Sequence, residues 1–241
     1  MNFQHHTYKD PAKLVGILYI IGTLAGIASV PFLSVRNQSD YLSGIARNPN
    51  SLIVGAVLTV LMGSALALIP IVLFPLLKRY NEPAAVGYVV FRSALETGTY
   101  LLSAVCYVAL AILARNYTIG ADSPSLLAAG TTLNALADAS LTFFFFGVGA
   151  LILYVTLLRY HMLPRWIVWS GIIAVLLHIA SGGLVLLGLQ TPLDSASLVM
   201  NLPIAVQEMV MAVWLLAKGF NQEPTATPKL SNEYERSHHV V

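Results

Sequence analysis

Five ionisable residues interrupt the long apolar stretches of this chain: Arg92, Glu96, Asp138, His178 and Glu208. Carboxylates and imidazoles exchange protons and bind cations, so this set could serve proton-coupled transport, an ion site or metal chemistry. A charge at the centre of a bilayer costs about 2.5–3.5 kcal/mol on insertion scales. We therefore expect these residues to face the interior of a helix bundle and to have partners there.

The spacing of four of these residues predicts a similar depth for them. Glu96, Asp138 and His178 each lie twelve positions beyond the start of their apolar stretch, and Glu208 lies ten positions beyond its own. At about 1.5 Å per helical residue, that is roughly 15–18 Å from the helix start. This is close to the midplane of a bilayer whose hydrocarbon is about 30 Å thick.

Neighbouring positions add amide side chains to the predicted cluster. Arg92 and Glu96 are four residues apart, as are Asn134 and Asp138, and residues with this spacing share a helix face. Glu208 directly follows a glutamine, and we expect only one of that adjacent pair to point at the shared centre. The predicted cluster consists of Arg92, Glu96, Asn134, Asp138, His178, Gln207 and Glu208.

The predicted cluster has more acidic than basic groups. Its three carboxylates face a single arginine, Arg92, which leaves an excess of about two negative charges if His178 is neutral. Uncompensated charge is too costly to bury. Three interpretations stay open: an acid is protonated, His178 is charged, or a cation occupies the site.

The composition excludes an ordinary soluble domain. Of 241 residues, 57% are hydrophobic and 10% are charged, whereas soluble proteins have about 25% charged residues. The single cysteine, Cys106, excludes an intrachain disulfide and a cysteine-based metal site. A net charge of +2 gives no indication of a nucleic-acid partner. The expected partner is the lipid bilayer, in a multi-pass protein of the cell membrane.

Six apolar stretches reach the roughly 20 residues that a membrane-spanning helix needs. Helices are indicated because the strict alternation of a membrane barrel is absent. The predicted fold is an all-α integral membrane bundle. Its predicted spans are Leu14–Val35, Leu52–Leu77, Ala84–Ala114, Leu126–Leu158, Trp166–Leu189 and Leu198–Ala217.

The distribution of lysine and arginine predicts the orientation of the bundle. If the N-terminus is cytoplasmic, nine of these cations lie on the cytoplasmic side and three lie outside. The positive-inside rule then favours cytoplasmic N- and C-termini. We expect a cytoplasmic tail over residues 1–13, the membrane domain over 14–220, and a disordered cytoplasmic tail over 221–241, which is polar and proline-containing.

Several sequence strings resemble a known family. They are Phe91-Arg92-x-x-x-Glu96, Leu163-Pro164-Arg165-Trp166, and the run from Leu202 through Gln207-Glu208-Met209 to Trp214 and Lys218-Gly219-Phe220. Together, in this order, they are similar to the bacterial membrane family called domain of unknown function 4386, over about residues 13–221. The resemblance implies a polytopic membrane protein and supplies no activity.

Three functional interpretations remain open at this point. The cluster could bind, move or sense a small cation, a proton or a small molecule, which is the interpretation we favour. It could instead be an intramembrane enzyme that holds a metal through Glu96, Asp138, His178 and Glu208. It could also be a purely structural network that sets helix order. Neither a glycine-rich phosphate loop nor an H-E-x-x-H motif is present, and we predict no cofactor.

Overall fold

A computed structural model describes residues 9–117, 124–138, 141–190 and 194–221. Within these ranges the chain is helical, and no strand occurs among them. Most of the two predicted tails, residues 1–8 and 222–241, lies outside the described residues.

Nine α-helices, a 3₁₀-helix and a π-helix make up the described chain. The α-helices are α1 (Lys9–Leu33), α2 (Tyr41–Arg47), α3 (Pro49–Leu77), α4 (Glu82–Tyr88), α5 (Thr97–Arg115), α6 (Pro124–Asp138), α7 (Thr142–Arg159), α8 (Arg165–Leu186) and α9 (Ser195–Ala217). The 3₁₀-helix (Ser34–Asn37) continues α1, and the π-helix (Val89–Glu96) joins α4 to α5.

These helices provide six segments long and apolar enough to cross a membrane, so the predicted fold class is confirmed. The segments, called spans 1 to 6, are Asp10–Asn37, Pro49–Leu77, Glu82–Arg115, Pro124–Arg159, Arg165–Leu186 and Ser195–Ala217. The largest difference from a predicted boundary is four residues, Leu14 against Asp10. The apolar length of each stretch was therefore a sufficient signal for its helix.

The six spans form a ring in chain order. Each packs against the next: α1 on α3, α3 on α5, the π-helix on α7, α7 on α8, and α8 on α9. The contact of α9 with α1 closes the ring. Large apolar side chains such as Leu24, Val57 and Val105 are 60–65% exposed on its outside. This is the surface that a lipid-embedded bundle presents.

Polar contacts join the connections at one end of the ring. In the α7–α8 turn, the Tyr160 hydroxyl donates to the backbone carbonyl of Tyr80, in the α3–α4 turn, at 2.9 Å. The backbone N–H of Asn221 donates to the carbonyl of Met162 at 2.9 Å. A Cβ on Gly219 would lie 3.8 Å from the Cβ of Ala12, so the beginning of α1 and the end of α9 also lie at this end, here called the terminal end.

Close packing of α1 against α9 gives a test of this ring. A Cβ on Gly16 would lie 2.8 Å from the backbone oxygen of Ala212, whereas a Cβ on Gly98 would meet nothing within 4 Å. We expect Gly16→Ala to lower the free energy of unfolding by about 1–2 kcal/mol, since the overpacking cost exceeds the gain in helix propensity. Gly98→Ala, the matched control, should keep or raise stability. Equal thermal unfolding temperatures of the two variants in detergent would contradict the α1–α9 packing.

Candidate functional site

Arg92 and Glu96 lie in the π-helix in the middle of span 3. A π-helix is rare and is frequently found at functional sites. A side chain of this π-helix bonds to a neighbouring helix: the Ser93 hydroxyl donates to the carbonyl of Ala67 in α3 at 2.6 Å. Sequence reasoning missed this segment, because no glycine or proline within Val89–Glu96 marks a change of helix type.

Arg92 connects two opposite members of the ring. Its Nη1 donates to both carboxylate oxygens of Glu96, at 3.1 and 3.0 Å. Its Nη2 donates to Oε1 of Glu208 in span 6, at 3.1 Å. The guanidinium carbon also lies 4.5 Å from the ring centroid of Phe146 in α7. Spans 3 and 6 are thus linked across the centre of the ring by a buried cation.

The two glutamates that contact Arg92 have different surroundings. Glu96 is fully buried and also accepts a hydrogen bond from the Tyr100 hydroxyl at 3.0 Å. The Glu208 side chain is 13% exposed and has only the bond from Arg92 among the described residues. Glu96 therefore makes more hydrogen bonds than Glu208, which retains a free carboxylate oxygen.

A cavity of about 200 Å³ lies beside Glu208. Its volume is enough for several water molecules or a small solute. The polar side chains that line it are those of Thr23, Arg92, Tyr100, Thr142, His178 and Glu208. Apolar side chains and two glycines complete the wall: Gly22, Gly26, Met62, Leu66, Phe146, Ile204 and Ala205.

His178 reaches the cavity from span 5. Its Nδ1 is 2.6 Å from Oδ1 of Asn201, and its ring meets Phe146 edge-on with centroids 4.8 Å apart. The amide nitrogen of Asn201 in turn donates to the hydroxyl of Ser181 at 3.1 Å. The Nε2 of His178 is buried without a hydrogen-bond partner among the described residues. This leaves one imidazole nitrogen free for a ligand or a proton.

Gln207 is buried beside Glu208 but points elsewhere. It accepts a hydrogen bond from the Tyr154 hydroxyl and donates to the carbonyl of Ile167 at 3.1 Å. These contacts tie span 6 to spans 4 and 5, while Glu208 faces Arg92. Gln207 and Glu208 therefore point in different directions, and only Glu208 contacts Arg92.

Tyr100 and Asn201 belong to the site but were absent from the predicted cluster. Both had a usable signal. Tyr100 follows Glu96 by four residues, and Asn201 precedes Glu208 by seven, so each lies on the same helix face as a predicted residue.

Asn134 and Asp138 form a separate cluster, so the expectation of one shared centre is wrong for them. Arg36 donates from Nη1 to Oδ1 of Asn134 at 2.8 Å and from Nη2 to Oδ1 of Asp138 at 3.0 Å. The Arg36 guanidinium also lies 4.5 Å from the ring centroid of Tyr107.

The error came from counting depth along span 4. This span runs over Pro124–Arg159, 36 residues, so a residue twelve positions into the predicted helix falls short of its middle. Asp138 instead lies level with Arg36, at the end of span 1 away from the terminal end. Arg92 is therefore not the only cation available to the predicted acids, and only two carboxylates, Glu96 and Glu208, remain at the ring centre.

The four proposed metal ligands are also not brought together. Asp138 contacts Arg36, whereas His178 contacts Asn201. Across the described part of the chain, no three histidine, cysteine, aspartate or glutamate side chains group as a metal site would require. The described residues thus give the alternative of a metal enzyme no ligand set, and at the ring centre they place Arg92 between Glu96 and Glu208.

A comparison with protein families agrees with the resemblance seen in the sequence. The family described as domain of unknown function (DUF4386) matches residues 14–219, which cover spans 2 to 6 and all but the first four residues of span 1. The chain belongs to this family. No curated protein and no solved structure matches the chain at a significant level. The description of the family names no activity, so the chemistry has to be argued from the site.

Double-mutant cycles test the ionic cluster at the ring centre. Arg92→Leu should lower the free energy of unfolding by about 3–5 kcal/mol, because it leaves buried carboxylates without their cation. Adding Glu96→Leu should restore part of that loss, since the second change removes one of the stranded charges. The measurement is unfolding in detergent followed by tryptophan fluorescence.

Arg36→Leu is the matched control for this cycle, because it also removes a buried arginine. Combined with Glu96→Leu, it should be additive within about 0.3–0.5 kcal/mol, as expected for residues that share no partner. Equal coupling energies in the two cycles would contradict the division into two clusters.

Proposed function

We propose that this protein has a non-enzymatic function and binds a small cationic solute in the cavity beside Glu208. The observation that carries the proposal is the charge balance at the ring centre. Two carboxylates, Glu96 and Glu208, share one guanidinium, and the one with fewer hydrogen bonds faces the cavity. If both acids are ionised and His178 is neutral, the site has one negative charge in excess. A cation in the cavity would balance it.

The walls of the cavity favour an organic cation over a bare metal ion. Hard metal ions prefer six or more oxygen ligands, or several carboxylates. Here the oxygen-bearing side chains are Glu208, Thr23, Tyr100 and Thr142. Apolar side chains such as Ile204 make up much of the remaining wall. An ammonium group needs few acceptors, and its carbon atoms can contact the apolar wall. A small protonated amine therefore fits both the charge and the lining.

Glu208 is also the group through which binding could be communicated. Its bond to Arg92 is an ion pair between spans 3 and 6. A cation that competes for this carboxylate would weaken that link, so occupancy and bundle conformation would be coupled. Such coupling is what sensing or alternating access requires.

The orientation of the site in the membrane is part of the proposal. We propose that the terminal end is cytoplasmic, because nine of the lysine and arginine residues would then lie on that side and three on the other. Single cysteines at Asn116 and Asn221, in a Cys106→Ala background, should react with a membrane-impermeant reagent from opposite sides. Labelling of the cysteine at position 221 from outside intact cells would contradict the proposed orientation.

Glu208→Gln tests the proposed binding function. Ethylammonium, tetramethylammonium and sodium would be compared at constant ionic strength on protein in nanodiscs, with thermal unfolding as the readout. Ligand binding to the folded state adds about 2.7 kcal/mol at 100 times the dissociation constant. We expect an organic ammonium ion to raise the unfolding temperature of the wild type and to have little effect on Glu208→Gln.

Glu82→Gln is the matched control, because it removes a carboxylate that is 65% exposed outside the cavity. It should respond to ammonium ions like the wild type. A thermal shift of the same size in Glu208→Gln, or no shift in the wild type, would argue against a cation site at Glu208.

A further inference from the structure

An apolar groove runs along the outside of the ring between α1 and α9. Its volume is about 630 Å³, and it is lined by Ile27 and by side chains of α9 that include Val206, Val210 and Val213. At the terminal end of the bundle it reaches Trp214 and Lys218. Val206 and Val213 are 53% and 60% exposed, so this surface faces the hydrocarbon of the bilayer.

The groove and the polar cavity share part of their walls. Thr23 of α1 and Ala205 of α9 line both. Gly22 and Gly26 also line the cavity, and each lets α1 pack closely on α3, since a Cβ there would lie 2.8 Å from Leu66 and from Met62, respectively. The polar cavity and the lipid-facing groove therefore adjoin between α1 and α9 at the level of Thr23 and Ala205.

Resting on the proposed function, we infer that the ligand is an amphiphile with an ammonium head and a single alkyl chain, which enters sideways from the bilayer. The head occupies the cavity at Glu208, and the chain lies in the groove along α9. The positive head of such a molecule would balance the excess negative charge at the cavity, and its alkyl chain would contact the apolar side chains of the groove.

Charges at the two ends of the groove set the direction of this ligand. Glu208 attracts an ammonium group at the cavity, and the exposed Lys218 repels one at the far end. The alkyl chain therefore extends from Ala205 toward Ala217. These residues are twelve positions apart in α9, which corresponds to about 18 Å of groove.

The chain itself adds little binding energy in a membrane, because hydrocarbon surrounds it both in the bilayer and in the groove. Its role is access, since a membrane-dissolved molecule is presented directly to the gap between α1 and α9. Recognition then depends on the ammonium head and its partner Glu208.

Photolabelling in nanodiscs tests this inference. The probe is dodecylammonium with a diazirine near the end of its chain, and the uncharged dodecanol analogue is the control ligand. We expect the charged probe to label α9 near Val210 and Val213, and excess ethylammonium to suppress this labelling. The uncharged analogue should label lipid-facing helices without being displaced.

Two tryptophan variants test whether the groove itself holds the chain. Val213→Trp fills the groove without touching the cavity, so labelling of α9 should fall by at least about fivefold while stabilisation by ethylammonium is kept. Val57→Trp places the same side chain at a valine that is 62% exposed on α3. It should leave labelling unchanged.

The outcomes separate this inference from the proposed function. If ethylammonium stabilises the wild type but not Glu208→Gln, yet does not displace the charged probe, the cation site stands and sideways entry is wrong. Equal labelling of α9 by the uncharged analogue would also overturn the inference, because the groove would then hold any alkyl chain. If ethylammonium does not stabilise the wild type, the proposed function fails and this inference fails with it.

Discussion

The burial of Arg92 is the constraint on which the centre of this bundle depends. Its side chain is 1% exposed, and a guanidinium inside a membrane protein requires both negative charge and hydrogen-bond acceptors. Glu96 supplies two acceptors from the same π-helix, and Glu208 supplies one from the opposite side of the ring. Spans 3 and 6 must therefore adopt one register relative to each other. Gln207, held by Tyr154 and Ile167, keeps span 6 in that register from the other side.

A second buried arginine, near the end of the bundle away from the terminal end, also has an acidic partner. Arg36, at the end of span 1, is 7% exposed and is held by Asn134, Asp138 and the ring of Tyr107. This cluster has one carboxylate for one guanidinium, so its charges balance and no further ion is required. The Arg92 cluster has two carboxylates. This difference in charge balance favours a cation site at the ring centre and not near Arg36.

Much of the architecture followed from the sequence, because apolar length alone identifies a membrane-spanning helix. The pairing of Arg92 with Glu96 also followed from their spacing, since four residues separate them on one face. The contact of Arg36 with Asp138 did not follow, because depth was counted from helix starts and span 4 is longer than a bilayer requires. The π-helix did not follow either, because no glycine or proline marks Val89–Glu96. Contacts within one helix, such as Arg92 with Glu96, could be predicted from residue spacing. Contacts that depend on helix length and tertiary packing, such as Arg36 with Asp138, could not.

Structural and functional interpretations of the cluster are not exclusive, because its two glutamates differ. Glu96 accepts bonds from Arg92 and Tyr100 and is fully buried, and all three of these residues belong to span 3. Glu208 contributes one bond and faces the cavity. The Arg92–Glu96 pair can therefore remain intact while Glu208 exchanges its partner. Under the proposed function, a ligand at Glu208 would act on the contact between spans 3 and 6 and would leave the buried pair in span 3 in place. The proposal thus gives the two carboxylates different roles, with Glu96 stabilising the fold and Glu208 responding to what enters the cavity.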